Sequence, residues 1–405
     1  MLGKRSCHAG PLATNESHRS VRHRSAMRFR SRTRCGRPPW HDRFPSMEFP
    51  DLNPDAFASK TEITDYFEAY AEQIAAPVRC GVEVIAVERN IGRPGFHVET
   101  SAGDLKANSI VAATGPFQRP IIPDLIPKCA ELLQIHSNAY RNPEQLPTGA
   151  VMVIGAGSSG TQIADELLRS GRRVYLSVGP HDRPPRSYRG RDFVWWLGVL
   201  GKWDAQATPG KEHVTIAVSG ADGGRTVDFR RLADDGMTLV GMTTTFKDGV
   251  LSFAPDLADN LLKGDANYLS LLDEADSWVV RNGVDLPEEP EARKICPNAD
   301  CVTRPILELD LVKAGVSSII WATGYALDYS WLKVDVFDEN GRPKHLRGIT
   351  SEPGVYFLGL PWLSRRGSSF IWGVWHDAKY LAEHILTQRT YLDYRPSSKR
   401  FTETA

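Results

Sequence analysis

The hydrophobic period of the chain changes sharply near residue 155. Ala150-Val-Met-Val-Ile154 is an unbroken apolar run, as expected of a strand covered on both faces. It enters Gly155-Ala-Gly157-Ser-Ser-Gly160, and beyond that turn Ile163, Ala164, Leu167 and Leu168 recur at helical spacing. Val174-Tyr-Leu-Ser177 is a second apolar run. The pattern predicts strand, glycine turn, helix and strand over 150–178.

Other elements follow from similar signals. Ser59 and Glu62 form a capping-box pattern ahead of Ile63, Tyr66, Phe67, Tyr70 and Ile74, which predicts a helix that Pro77 ends. Residues 82–87 and 96–100 alternate as strands. The apolar segments 108–115 and 317–324 each run into a Thr-Gly pair, Thr114-Gly115 and Thr323-Gly324. Short strands are expected at 237–240, 250–253 and 355–359, and helices at 257–280 and 370–386. Strands and helices that alternate, with glycines at strand ends, indicate an α/β fold built on parallel sheets.

A length of 405 residues suits two domains. With 41% hydrophobic and 24% charged residues, the composition allows sizeable cores. The balance of 49 basic and 49 acidic residues gives no global attraction to nucleic acid or to an anionic membrane. No apolar run approaches the roughly 18 residues of a membrane span, and no apolar secretory core opens the chain. The six scattered cysteines suggest a reducing, cytoplasmic setting. Cys296 and Cys301 are separated by four residues rather than the two usual in a redox dithiol, and they read as ordinary thiols in a loop.

Residues 1–43 stand apart. They are rich in Arg, Ser and His, with Glu16 and Asp42 the only acids, and they show no hydrophobic period. A basic arm for nucleic acid, a targeting peptide, and translated sequence unrelated to the fold all remain open. The mixture, typical of random GC-rich codons, favours the last. Residues 393–405 read as a tail.

The glycine turn carries the main chemical signal. A lone Gly-x-Gly-x-x-Gly is weak, but here a strand precedes it and an amphipathic helix follows. Gly155 permits a tight turn, Gly157 leaves the backbone bare for a diphosphate, and Gly160 lets the helix pack on the strand. The amides of Ser158, Ser159 and Gly160 then face the phosphates at the positive end of the helix. The second strand ends without the Asp or Glu that holds the ribose hydroxyls of NAD. Ser177 lies there instead, with Arg172, Arg173, Arg183 and Arg186 nearby. Ser177 and Arg183 are read as the 2′-phosphate site, which favours NADPH over NADH. A solvated basic loop beside an NAD site is the alternative.

Several motifs in order resemble the flavin-containing monooxygenase superfamily, most closely its bacterial branch related to the plant auxin-forming enzymes. Val111-Ala-Ala-Thr114-Gly115-Pro116 is similar to that superfamily's linker from the FAD domain to the NADP domain. His136-Ser-Asn138-Ala-Tyr140 is similar to the second half of its fingerprint, although Ala130 and Leu132 replace the expected Phe and Gly. Trp321-Ala-Thr323-Gly324-Tyr325 is similar to its return linker, and 355–359, ending at Gly359, to its strand beside the flavin. The resemblance covers about residues 44 to 390.

The resemblance implies two interleaved Rossmann-like domains in three layers. A partial FAD domain would occupy 44–146 and 318–392, and an NADP domain 147–317. The FAD domain lacks its usual first glycine fingerprint, since Gly155-Ala-Gly157 is the chain's one Gly-x-Gly. Implied cofactors are NADPH and FAD, with Thr114, Gly115, Thr323, Gly324 and Gly359 beside them. The implied reaction is NADPH-driven reduction of FAD, then use of O2 to oxygenate a small organic substrate. His136 and Asn138 are the candidate catalytic residues, with a bracing role for His136 as the competing reading. Trp195 and Trp196 read as core in preference to a substrate pocket. No metal, nucleic-acid or membrane partner is expected, and a homodimer is left open. The alternative function is an NADP(H)-binding chain that holds FAD poorly or not at all.

Overall fold

The computed structural model describes residues 8–9, 38, 40–49, 56–128, 131–207, 215–220 and 223–395. The Arg-rich stretch, nearly all of it, and the tail beyond Arg395 lie outside these residues.

The central sheet has five parallel strands in the order Thr238–Val240, Val174–Ser177, Ala150–Ile154, Val316–Trp321 and Leu133–His136. All five residues of Ala150–Ile154 and all four of Val174–Ser177 are buried, which explains their unbroken apolar character. The pleat splits them between two cores. Val151 and Val153 face Ile163, Ala164 and Leu167 of the helix Ser158–Arg169. Met152 and Ile154 face Leu251, Phe253 and Leu309 of an antiparallel sheet built from Thr243–Lys247, Val250–Phe253 and Glu308–Asp310. Helix, parallel sheet and antiparallel sheet form the three layers. Burying Ile163 and Leu167 contributes about 2–3 kcal/mol each.

The strands Leu133–His136 and Val316–Trp321 belong to this sheet, although the sequence bounds put the first and most of the second on the flavin side.

The second body is smaller. Val84–Arg89, Phe96–Thr100 and Leu105–Ala107 form an antiparallel meander, with Leu332–Lys333 added in parallel along Val84–Arg89. Ile110–Ala112 pairs in parallel with Val355–Phe357 as a two-stranded ribbon. Val87, Phe96, Val355 and Phe357 share its core. The predicted helix is Lys60–Gln73; both halves of the Ser59–Glu62 capping box form, and its Tyr66 is buried against Phe49.

Two helices add to the sequence reading, and the second shifts its bounds. The apolar segment with Trp195 and Trp196 is the helix Phe193–Val199; Trp196 packs into a core with Tyr268 and Leu272 of the long helix Leu257–Asn282. The last helix is Val374–Asp393 and not 370–386, because a 3-10 turn over Arg366–Ser369 and Gly373 interrupt the pattern before it. No helix of the described residues is long and apolar enough to cross a membrane.

Candidate functional site: the glycine turn and the paired linkers

The glycine turn lies where the strand order reverses. From Ala150–Ile154 the chain moves outward through Val174–Ser177 to Thr238–Val240, and later returns on the other side as Val316–Trp321. Such a reversal opens a crevice at the carboxyl ends of the strands. Gly155 has φ +106°, which L side chains rarely adopt, and a Cβ there would meet the Ala322 carbonyl oxygen at 2.5 Å. A Cβ at Gly160 would stand 1.8 Å from the Gly155 carbonyl oxygen. These two glycines seat the helix against the return linker. Gly157 is the N-cap of the helix and supplies no side-chain cap. Among the described residues no acceptor meets the amides of Ser158, Ser159 or Gly160, while the Thr161 amide bonds Gly157. Three bare amides at a helix N-terminus fit a dinucleotide diphosphate.

The crevice is partly covered. Residues 215–218 lie across it: the Ser158 hydroxyl donates to the Ile216 carbonyl at 2.8 Å, and Gln162 donates to the Val218 carbonyl at 3.0 Å. The Thr215 methyl sits 3.2 Å from where a Gly157 Cβ would be. The Ser158 side chain is thus tied to this segment, whereas Ser159 is exposed.

Ser177 and Arg183 correct the sequence expectation. Both are buried and both are committed within the protein. The Ser177 hydroxyl donates to the Gly241 carbonyl at 2.9 Å and accepts from the Thr243 amide at 3.1 Å. Arg183 pairs with Asp265 at 2.9 Å, donates to the Val227 carbonyl and lies over the Tyr268 ring. Asp265 also takes Arg230 at 2.7 Å. A guanidinium locked in this buried network does not reach out to a 2′-phosphate. Arg172 is spent on four backbone carbonyls, and Arg186 pairs with Asp192.

The two linkers are brought together as one unit. Arg119–Pro120 pairs antiparallel with Tyr325–Ala326. The Thr323 hydroxyl donates to the Ile121 carbonyl at 2.6 Å, and the Ile121 amide donates to the Gly324 carbonyl at 3.1 Å. Gln118, which the sequence reading missed, holds the first linker: its amide group donates to Thr114 and to the Gly115 carbonyl and accepts from the Asp328 amide. His136 is buried and its Nε2 lies 3.0 Å from the same Gly324 carbonyl. Because a carbonyl only accepts, Nε2 carries the proton. Nδ1 then accepts from the Asn138 amide at 3.2 Å. Both ring nitrogens are engaged between the crossover and the return linker. Tyr140 supports the same segment through Glu166, at 3.1 Å, and burial with that carboxylate pushes its phenol far up.

Gly359 stands apart from the glycine turn. It follows Val355–Phe357 with φ +75°, near Val374 of the last helix. The described residues around Gly359 are arranged differently from the first turn. They contain no second bare glycine turn at a strand–helix junction, and the ribbon beside Gly359 has two strands, with Val111 42% exposed on one of them. Cys296 and Cys301 are thiols.

Comparison with known proteins agrees with this architecture. Residues 44–191 match the model of the pyridine nucleotide-disulphide oxidoreductase family. The oxidoreductase CzcO-like of Geobacillus kaustophilus is 33% identical over 353 residues, covering 86% of this chain and 84% of that protein. The chain belongs to the flavin-containing monooxygenase superfamily. The indole-3-pyruvate monooxygenase YUCCA1 of rice (Oryza sativa subsp. japonica) is 31% identical over 142 residues, 33% of each chain. A flavin-containing monooxygenase from Stenotrophomonas maltophilia superposes with a TM-score of 0.55 over 88% of this chain and 84% of its own, at 17% identity, which shows the shared fold of this superfamily.

Proposed function

We propose that this member of the superfamily binds NADP(H) at Gly155–Gly160 and, by itself, holds FAD poorly or not at all. The observation that carries the reading is the contrast between two strand ends. One presents three amides without acceptors behind Gly157, an N-cap without a side chain. The other, at Gly359, has no such turn beside it among the described residues.

The residues at the first site bind and orient; they do no bond chemistry themselves. The helix N-terminus takes the diphosphate, and Gly157 leaves room for it. The return linker, held by His136 and Thr323, fixes the wall against which the nicotinamide half would lie. A flavin, where bound, supplies the redox chemistry of the superfamily.

A second reading is the superfamily's complete reaction, with FAD, O2 and a small organic substrate. Its support is the linker pair, joined by the pairing of Arg119–Pro120 with Tyr325–Ala326 and by the Thr323 bond to Ile121, with Gln118 holding the first linker. The two readings part on one experiment. The purified full-length chain is titrated with FAD, and bound flavin is read from its visible band and fluorescence quenching. Failure to retain stoichiometric FAD, with NADPH still bound, supports the first reading. A yellow protein that NADPH bleaches supports the second.

A further inference from the structure

The smaller body holds a parallel ribbon with one open side. Ile110–Ala112 and Val355–Phe357 run in parallel, and parallel strands ordinarily belong to larger, covered sheets. One side of the ribbon is closed. The Phe357 amide donates to the Gly348 carbonyl at 2.8 Å, and Ile349 bridges Tyr356. The other side is Ile110–Ala112, and among the described residues no strand pairs along it. The Ile110 amide donates inward to the Gly354 carbonyl at 2.8 Å, and the Ala112 carbonyl accepts from the Leu358 amide at 3.1 Å. Backbone groups alternate in direction along a strand, so those of Ser109, Val111 and Ala113 point outward. None of these outward groups meets a backbone partner among the described residues.

The side chains along this edge are apolar. Val111 is 42% exposed, and Ala113 is exposed beside it. Val111 pairs in register with Tyr356 and so shares its face of the ribbon. On that face Tyr356 meets His384 of the helix Val374–Asp393, with ring centroids 5.7 Å apart. The helix therefore covers the ribbon at Tyr356, and the cover thins toward Val111. Free edges in folded proteins are commonly blunted by a charge, a proline or a bulge. Asn108-Ser-Ile-Val-Ala-Ala-Thr114 carries neither charge nor proline, and it pairs with Val355–Phe357 in unbroken register.

We propose that this edge is the interface of a homodimer, in which a second copy of the chain pairs antiparallel along Ile110–Ala112 with Val111 opposite the partner's Val111. A strand edge turned about its central residue is its own complement: each outward amide meets a carbonyl, and about six hydrogen bonds form across the twofold axis. The uncharged stretch 108–114 lets two identical edges meet without repulsion, which favours a second copy over a partner of opposite charge. Such an axis stands perpendicular to the ribbon and leaves both Val374–Asp393 helices on one face. They add contact area there, since a stable dimer buries about 1,200 Å² or more and so short an edge supplies only part of it. The inference is independent of the dinucleotide reading of Gly155–Gly160.

The test is sedimentation equilibrium of the full-length protein from about 1 to 100 µM, where wild type is expected to be dimeric at the upper end. Val111→Lys and Val111→Glu, at a half-open surface position, are each expected to weaken association by about tenfold or more, because like charges then face each other across the axis. An equimolar mixture of the two is expected to dimerise again, a rescue that a merely misfolded variant would not show. Val111→Cys is expected to cross-link with a short bismaleimide to a covalent dimer that wild type, with its own six cysteines, does not give. Wild type that stays monomeric throughout the range overturns the inference. So does a dimer that persists in both charged variants, or a mixture that stays monomeric while the cysteine variant fails to cross-link.

Discussion

The ring of His136 and the carbonyl of Gly324 stand 3.0 Å apart, although 188 positions separate them in sequence. That bond ties the crossover strand Leu133–His136 to the return linker, beside the Ile121 amide that shares the carbonyl. A histidine with both nitrogens engaged is better placed to hold two segments than to move a proton. His136→Ala leaves a small cavity and an unmet Asn138 amide. The expected cost is roughly 2–4 kcal/mol, read by urea denaturation, with NADPH affinity changed little. A stable variant that loses turnover would instead return His136 to the chemistry.

Gly160 and Gly155 make a backbone contact that tolerates nothing larger. Because a Cβ at Gly160 would stand 1.8 Å from a carbonyl oxygen, Gly160→Ala must unseat the helix. A loss of about 3 kcal/mol or more is expected. Gly157→Ala meets only a threonine methyl at 3.2 Å, which can shift, and its thermal midpoint is expected to stay close to wild type. Equal midpoints for the two variants would contradict this division between a packing glycine and a binding glycine.

Arg183 is a structural residue on this account. Removing one partner of a buried ion pair strands the other, so Arg183→Ala is expected to cost roughly 3–5 kcal/mol. The ratio of NADPH to NADH affinity in the folded fraction should not move. A selective loss of NADPH would restore the phosphate role that the sequence suggested.

Acid should loosen the fold through buried histidines. The imidazole of His181 is pulled below its ordinary value near 6.5, first by burial and then by Arg183, with Asp265 and the Gly179 carbonyl opposing. It packs 2.6 Å from the place a Gly264 Cβ would take, so water cannot readily reach Nε2. Burial lowers His345 and His376 as well. The unfolded chain therefore binds protons first. The stabilising contribution is complete above about pH 6.5 and is lost as pH falls from there through the lower folded values. Urea midpoints should drop between pH 7.5 and pH 5.5, and His181→Gln should flatten that slope. A midpoint independent of pH in this window would contradict it.

Much of the architecture was legible because hydrophobic period reports burial directly. Ala150–Ile154 read as a doubly covered strand, and the Ser59–Glu62 cap marked its helix, because in both cases the local signal and the tertiary role coincide. The two Thr-Gly linkers were legible as strand ends, but not their mutual pairing, which depends on Gln118 and on residues some two hundred positions away. Arg183 misled because position after a strand says nothing about direction: the side chain turns inward to Asp265, a partner on the helix Leu257–Asn282.

The central claim is that bare amides after Gly157 hold a dinucleotide diphosphate, and its most direct test is an NADPH titration of wild-type and Gly157→Val proteins, followed by the coenzyme's own fluorescence. Saturable binding by wild type and none by a folded Gly157→Val is the expected result. A folded variant that binds NADPH as tightly as wild type would contradict the account.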